Sequence, residues 1–155
     1  MTLLRTVSMI ETAERHVSSL PDTNLDKTEI ANYLGSVAAV IFYSEMEEQV
    51  QAVVKSRLTG FSDERLQKFV FETHAGMLKR MKRKDIVDTV GLFGDDCKEV
   101  FRQIVPEEDL ARYNNVIGER HLTSHGVGSY VTLTEVRQAA DAGEKILKAI
   151  EVSIA

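Results

Sequence analysis

An arginine and two histidines lie within six positions of the segment GERHLTSHGVGSY, residues 118–130. Arginine is permanently charged and fits phosphate oxygens, whereas histidine gains and loses a proton near neutral pH. These residue types therefore suit phosphate binding coupled to proton transfer. On an ideal helix Arg120 and His125 are about 140° apart, so both enter one site only if the helix ends near Gly126 or if a second chain contributes.

The same residues also have interpretations that involve no site. His121 continues an apolar stripe with Tyr113 and Ile117, which is typical of a histidine held in the core. Arg120 and His125 near a helix C-terminus would stabilise that helix through its dipole, because cations are favoured there. The local spacing by itself leaves these alternatives open.

Zinc binding is another alternative, because His121 and His125 have the H-x-x-x-H spacing of zinc ligands. Residue 122 is leucine, so the glutamate of the H-E-x-x-H pattern is missing, and two histidines supply only half of a tetrahedral shell. His16 and His74 lie on other segments without ligand spacing. We therefore predict no metal site and no cofactor.

Helical periodicity dominates the rest of the chain. Its 155 residues include two prolines and almost no strand pattern, which predicts an all-α fold. We expect one domain over residues 1–155, an antiparallel helical bundle of four to five main helices plus short ones. The predicted helices cover residues 3–19, 27–58, 63–80, 83–92, 95–104, 106–124 and 133–153.

Sequence signals mark several helix ends and faces. Ser62 is placed to cap the third helix, and Thr132 with Glu135 forms a capping box for the last one. The second helix has an apolar stripe of Ile30, Leu34, Val37 and Ile41, and the apolar pattern continues at Val50, Val54 and Leu58. The last helix carries, on one side, Val136, Ala140, Gly143, Leu147, Ile150 and Ile154.

Composition limits the classes of partner. The net charge of −5 gives no general attraction to nucleic acid or to an anionic membrane, so any RNA contact has to use a local patch. The single Cys97 excludes an internal disulfide and suits a reducing compartment. No signal-peptide pattern is present, and the longest apolar run, SVAAVIF, is too short to span a bilayer. We expect a soluble cytoplasmic protein.

The densest basic cluster lies in LKRMKRKD, residues 78–85. Positive charge that is concentrated in this way predicts a track for RNA phosphates, and the alternative is a solvated helix end and loop. Its cationic residues are Lys79, Arg80, Lys82, Arg83 and Lys84.

The segment RHLTSHG resembles the R-x4–6-H motif of HEPN domains, helical bundles that are widespread as ribonucleases in toxin–antitoxin and defence systems. Arg120, the polar His121 and His125 match that motif with four intervening residues. A short loop, VTLTEV and a long final helix follow, much as in the RiboL-PSP branch of the superfamily. The resemblance covers roughly residues 25–155 and includes the long second helix.

The resemblance implies a metal-independent endoribonuclease that acts as a homodimer, with the motifs of both chains lining one cleft. His125 would be the general base or acid, and Arg120 would bind phosphate and stabilise the transition state. His121 would orient the site or contact RNA. An antitoxin or defence-system partner would control the activity. The alternative is a non-catalytic HEPN module that binds RNA, nucleotide or a partner protein.

HEPN domains often also carry an acidic residue on the second long helix, where this chain has SEMEEQV. The candidates are Glu45, Glu47 and Glu48. Glu47 has Tyr43 and other apolar residues as helical neighbours, whereas Glu48 is expected to face water. We therefore predict that Glu47 positions Arg120 or a histidine.

Overall fold

The computed structural model of the chain describes residues 2–21, 27–60, 62–124 and 131–155, with the backbone alone at 119–124. Over these ranges the chain forms seven α-helices and no strand, which confirms the predicted all-α bundle. The helices are α1 (Leu4–Ser19), α2 (Lys27–Leu58), α3 (Glu64–His74), α4 (Arg83–Gly91), α5 (Asp95–Ile104), α6 (Glu107–Ser124) and α7 (Leu133–Ser153).

Polar contacts establish the relative direction of α1 and α7. Leu3, just before α1, donates its backbone N–H to the Glu144 carboxylate at 3.0 Å. Near the other end of α1, Glu14 forms an ion pair with Arg137 at 2.7 Å, and Arg137 precedes Glu144 along α7. Higher residue numbers in α1 therefore lie beside lower residue numbers in α7, so the two helices are antiparallel.

The α6 helix is also antiparallel to α7. The Lys145 ammonium in the second half of α7 lies 2.9 Å from the carboxylate of Asp109, which is buried in the first turn of α6. A carboxylate in this position also stabilises α6 through the helix dipole. The C-terminal end of α6 consequently lies near the start of α7.

Two glycines let α2 approach α7 closely. A Cβ added at Gly143 of α7 would lie 3.0 Å from the side chains of both Phe42 and Met46. A Cβ added at Gly35 would lie 1.9 Å from the carbonyl oxygen of Val131, just before α7. From the Gly35 contact to the Gly143 contact, the residue numbers increase along both helices. The α2 helix is therefore parallel to α7 and antiparallel to α1 and α6.

The apolar face predicted for α7 is confirmed, since all six of its residues are buried. The stripe predicted for the N-terminal half of α2, in contrast, is not its core face. All four of its residues are half-buried. The small residues Ala38 and Ala39 of the same half face the core instead and are buried. Small residues occupy that side because α7 lies so close to it. The continuation is buried as predicted, at Val50, Val54 and Leu58.

The third helix differs most from its prediction. Asp63, not Ser62, is the N-cap, and its carboxylate accepts hydrogen bonds from two N–H groups of the first turn at 2.9 and 3.1 Å. The helix ends at His74 instead of residue 80, because Gly76 disfavours helix and the backbone beyond it is bound elsewhere. The other helix ends agree with the predicted ones to within one residue. None of the helices in the described ranges has the length and apolarity to cross a lipid bilayer.

Candidate functional site

The predicted motif lies at the C-terminal end of α6. This helix continues to Ser124, as predicted, so the backbone of Arg120 and His121 belongs to its last two turns. The side chains of both residues, and the whole of His125, lie outside the described part of the chain. The contacts that α6 makes earlier along its length show where the Arg120 backbone sits in the bundle.

Tyr113 of α6 and Phe42 of α2 contact each other edge to face, with ring centroids 5.7 Å apart. Arg120 follows Tyr113 by seven residues, which is about 10 Å along α6 and close to two full turns, so it lies on the same face of the helix. Because α2 and α6 are antiparallel, the Arg120 backbone is level with Gly35, seven residues before Phe42.

Gly35 is also the point to which the chain returns after the motif. The carbonyl oxygen of Val131 occupies the space that a side chain at position 35 would need. The next residue, Thr132, caps α7: its hydroxyl accepts from the Glu135 N–H, and the Glu135 carboxylate accepts from the Thr132 N–H at 2.8 Å. The predicted capping box is therefore confirmed, and the backbone of Val131 and Thr132 lies against α2 at Gly35.

Glu45 is the buried glutamate of α2, with 3% of its surface exposed. Its carboxylate accepts three hydrogen bonds from the start of α1: from the backbone N–H of Arg5 at 3.0 Å, from that of Thr6 at 2.8 Å and from the Thr6 hydroxyl at 2.7 Å. The first turn of α1 contains no acidic residue and no side-chain cap of its own. Glu45 therefore satisfies helix N–H groups, which is a structural role.

Glu47, the predicted site glutamate, is half-buried and accepts a hydrogen bond from the Gln51 amide at 3.3 Å. Glu48 is exposed, as predicted. Glu47 is twelve residues beyond Gly35, so it lies about 18 Å along α2 from the level of Arg120. The backbones of Glu47 and Arg120 therefore lie at different levels of the bundle, and the prediction that Glu47 positions Arg120 or a histidine concerns side chains outside the described part of the chain.

Two tyrosine hydroxyls hold the predicted basic segment, residues 79–84, on the bundle. Tyr43 of α2 donates to the carbonyl oxygen of Lys79 at 2.8 Å, and Tyr113 of α6 donates to that of Met81 at 2.6 Å. The Met81 side chain is buried. Burial also raises the pKa of the Tyr113 hydroxyl well above its ordinary value, so this group remains a donor at neutral pH.

The anchored segment leaves its cationic side chains exposed. Arg83 forms an ion pair with Glu107 at the start of α6, 2.7 Å away. The remaining four make no ion pair with any residue that the structure describes: Lys79, Arg80, Lys82 and Lys84.

The basic segment packs beside α6, the helix that carries the motif at its C-terminal end. The backbone N–H of Arg83 donates to the Asn114 side chain at 3.2 Å, and the Met81 carbonyl binds Tyr113, so the segment lies beside the middle of α6. Arg120 is about 10 Å further along, on the face of Tyr113. A nucleic-acid strand that rises about 3.4 Å per nucleotide would cover this distance with about three nucleotides.

The apolar pattern of the sequence places Tyr43 and Tyr113 simply among core residues and does not reveal their role as anchors. The signal that identifies them is chemical: a tyrosine at a core position needs a hydrogen-bond partner for its hydroxyl. Which backbone segment provides that partner depends on the tertiary fold, because residues 79–81 are more than 30 positions from either tyrosine.

Among the described residues, no group of three or more histidine, cysteine, aspartate or glutamate side chains is arranged to hold a metal ion. The alternative of zinc at His121 and His125 concerns side chains outside that part of the chain. Comparison of the chain with protein-family models, with curated proteins and with solved structures gives no match.

Proposed function

We propose that this protein is a metal-independent endoribonuclease of the HEPN type, with Arg120 and His125 as its catalytic pair. The observation that supports this most is the position of Arg120, in the last turns of the penultimate helix and on the face that also meets the anchored basic segment. The sequence motif requires an arginine at such a helix end. The adjoining cationic surface is a separate feature that suits an RNA substrate.

The proposed reaction uses the RNA's own 2′-hydroxyl as nucleophile. His125 removes the hydroxyl proton, the 2′-oxygen attacks the adjacent phosphorus, and the 5′-oxygen leaves and takes up a proton. Arg120 binds the phosphate oxygens and stabilises the additional negative charge of the phosphorane. His121 orients the site or contacts RNA. The products are a 2′,3′-cyclic phosphate and a 5′-hydroxyl end.

A homodimer suits this chemistry because the reaction needs both a base and an acid. One histidine cannot be deprotonated and protonated in the same step, whereas His125 from two chains supplies both forms. We further propose that the enzyme is a cytoplasmic toxin–antitoxin or antiviral defence effector. An antitoxin or another component of the defence system would then hold it inactive.

The basic segment gives this acidic protein its affinity for RNA in the proposal. The exposed side chains of Lys79, Arg80 and Lys82 have no competing carboxylate among the described residues, so they are available to phosphates. Arg83 contributes less, because Glu107 already neutralises its charge. Lys84 lies at the start of α4, at the far end of the segment.

Cleavage of single-stranded RNA in the presence of EDTA tests the proposal. The wild type should cleave and leave a 2′,3′-cyclic phosphate, while His125→Ala and Arg120→Ala should each lower the rate by about 10²-fold or more. His16→Ala is the matched control, because His16 is an exposed histidine in the last turn of α1. Full activity of His125→Ala, or complete inhibition by EDTA, would contradict the assignment.

A non-catalytic module is the second candidate, and the anchored basic segment favours it on its own, since that surface needs no motif to bind RNA. RNA binding without cleavage by the wild type, unchanged in Arg120→Ala and His125→Ala, is the result expected for this candidate. Growth arrest on expression separates the two in cells. Toxicity that disappears with either substitution favours the nuclease.

A further inference from the structure

A cavity of about 170 Å³ lies where α3 meets α2 and the end of α4. Most of the side chains that line it are apolar, among them Val54 of α2, Val70 and Phe71 of α3, and Phe93 just after α4. Close packing normally leaves few voids of this size in a domain. An engineered apolar cavity of about 150 Å³ holds one benzene molecule, so this space is large enough for a single aromatic ring.

The α3 helix forms one wall of the cavity and is weakly held. None of its residues is buried, and in this helix only the half-buried Val70 and Phe71 pack against the core. An element with so few buried apolar contacts opens locally at low cost. Leu92, another lining residue, is 57% exposed, so the cavity meets the surface beside it. A small molecule therefore has a route into the cavity.

Two polar side chains line the cavity, and both provide hydrogen-bond acceptors. The Nδ1 atom of His74 lies 2.9 Å from the carbonyl oxygen of Val70. Since a carbonyl only accepts, Nδ1 carries a proton, and in the neutral ring Nε2 is an acceptor. Nε2 makes no hydrogen bond with any residue that the structure describes. The buried Thr89 hydroxyl already donates to the Asp85 carbonyl oxygen at 2.8 Å, so its oxygen can only accept.

We propose that this cavity binds a small neutral aromatic molecule with one hydrogen-bond donor, of which phenol is the simplest example. The ligand's ring contacts Phe71 and Phe93, and its donor binds Nε2 of His74, the acceptor that the described residues leave unused. A hydrocarbon of the same shape would leave that acceptor unpaired. None of the described lining residues is lysine or arginine, so an anionic ligand would lose its hydration without gaining a countercharge.

This site is separate from the motif, because no described residue of α6 lines the cavity. It therefore does not depend on the proposed nuclease, and its test uses no RNA.

Titration calorimetry of the full chain with phenol, benzene and benzoate tests the ligand class, at pH 8, above the usual titration range of histidine. Phenol should bind about fivefold more tightly than benzene, as expected for one neutral hydrogen bond. Benzoate should bind at least about tenfold more weakly than phenol, because its charge is not compensated. No binding of phenol, or binding of benzene or benzoate at least as tight as that of phenol, would overturn the assignment.

Val70→Trp and Phe69→Trp are a matched pair that locates the ligand. Both place an indole ring on α3, but only position 70 lines the cavity, whereas Phe69 is 67% exposed. Val70→Trp should fill the cavity and weaken phenol binding by about tenfold or more, and Phe69→Trp should leave it unchanged. Leu92→Trp, at the exposed edge of the cavity, replaces Val70→Trp if that variant loses its helical circular dichroism. Wild-type affinity in the cavity variant would place phenol elsewhere and refute the site.

His74→Leu tests the hydrogen bond separately from the fit of the ring. Without Nε2, phenol should lose its advantage of about fivefold and bind no more tightly than benzene. The control is His16→Leu, which removes an exposed histidine of α1 and should keep the preference for phenol. A preference for phenol that persists in His74→Leu would refute the assignment of His74 as the acceptor.

Discussion

The hydroxyl of Tyr113 donates to the carbonyl oxygen of Met81 at 2.6 Å and so ties the basic segment to the middle of α6. The Tyr113 ring also contacts Phe42 of α2, and Tyr43 of α2 binds the same segment at Lys79. Two hydrogen bonds and a ring contact therefore connect the basic segment, the core of α2 and the helix that ends in the motif. In the proposed function, a basic segment whose backbone is already anchored loses less conformational entropy when it binds RNA.

Removing the anchor should destabilise the protein in a pH-dependent way. Tyr113→Phe leaves the Met81 carbonyl without its donor, which should lower the free energy of unfolding by about 1–2 kcal/mol at pH 7. Because the pKa of Tyr113 is raised in the folded state, its contribution is complete below its ordinary value of 10.0 and is lost as the pH rises further. Urea unfolding from pH 7 to 11 should show the two proteins converging above about pH 10.

The control for this substitution is Tyr33→Phe, which removes an exposed hydroxyl. It should change the free energy of unfolding by less than about 0.5 kcal/mol at every pH. A Tyr113→Phe protein as stable as the wild type at pH 7 would show that the hydroxyl does not hold the basic segment.

The salt dependence of RNA binding should identify the phosphate contacts. Replacing both Lys79 and Lys82 with Gln should reduce the slope of log K against log salt by about 1.4, since each phosphate contact on a single strand contributes about 0.7. Arg83→Gln should change the slope less, because Glu107 already pairs with that arginine. Fluorescence anisotropy with a labelled single-stranded RNA measures both. Equal slopes for all three proteins would place the RNA elsewhere.

Most of the fold is predictable from local sequence because its signals are local. The capping box at Thr132 and the apolar periodicity of α7 depend only on residues within a few turns, and both predictions are confirmed. The local sequence does not show which side of α2 faces the core. Its N-terminal half is apolar on both sides, so only the close approach of α7 at Gly35 decides which side is buried.

In the candidate site, too, some features follow from the local sequence and others depend on the tertiary fold. The spacing of the motif and its place at the end of α6 follow from the sequence. The role of Glu45 does not, because its partners Arg5 and Thr6 are about 40 residues away and meet it only in the bundle. For the same reason the sequence does not reveal that Glu47 and Arg120 lie at different levels of one chain.

Gly35 should tolerate no side chain, because an added Cβ would lie 1.9 Å from the Val131 carbonyl oxygen. Gly35→Ala should lower the free energy of unfolding by about 1–3 kcal/mol and displace Val131 and Thr132. The matched control is Gly118→Ala in α6, where an added Cβ meets nothing within 4 Å. That change should stabilise the helix by about 0.5–1 kcal/mol. Thermal unfolding compares the two, and equal effects would contradict the close approach.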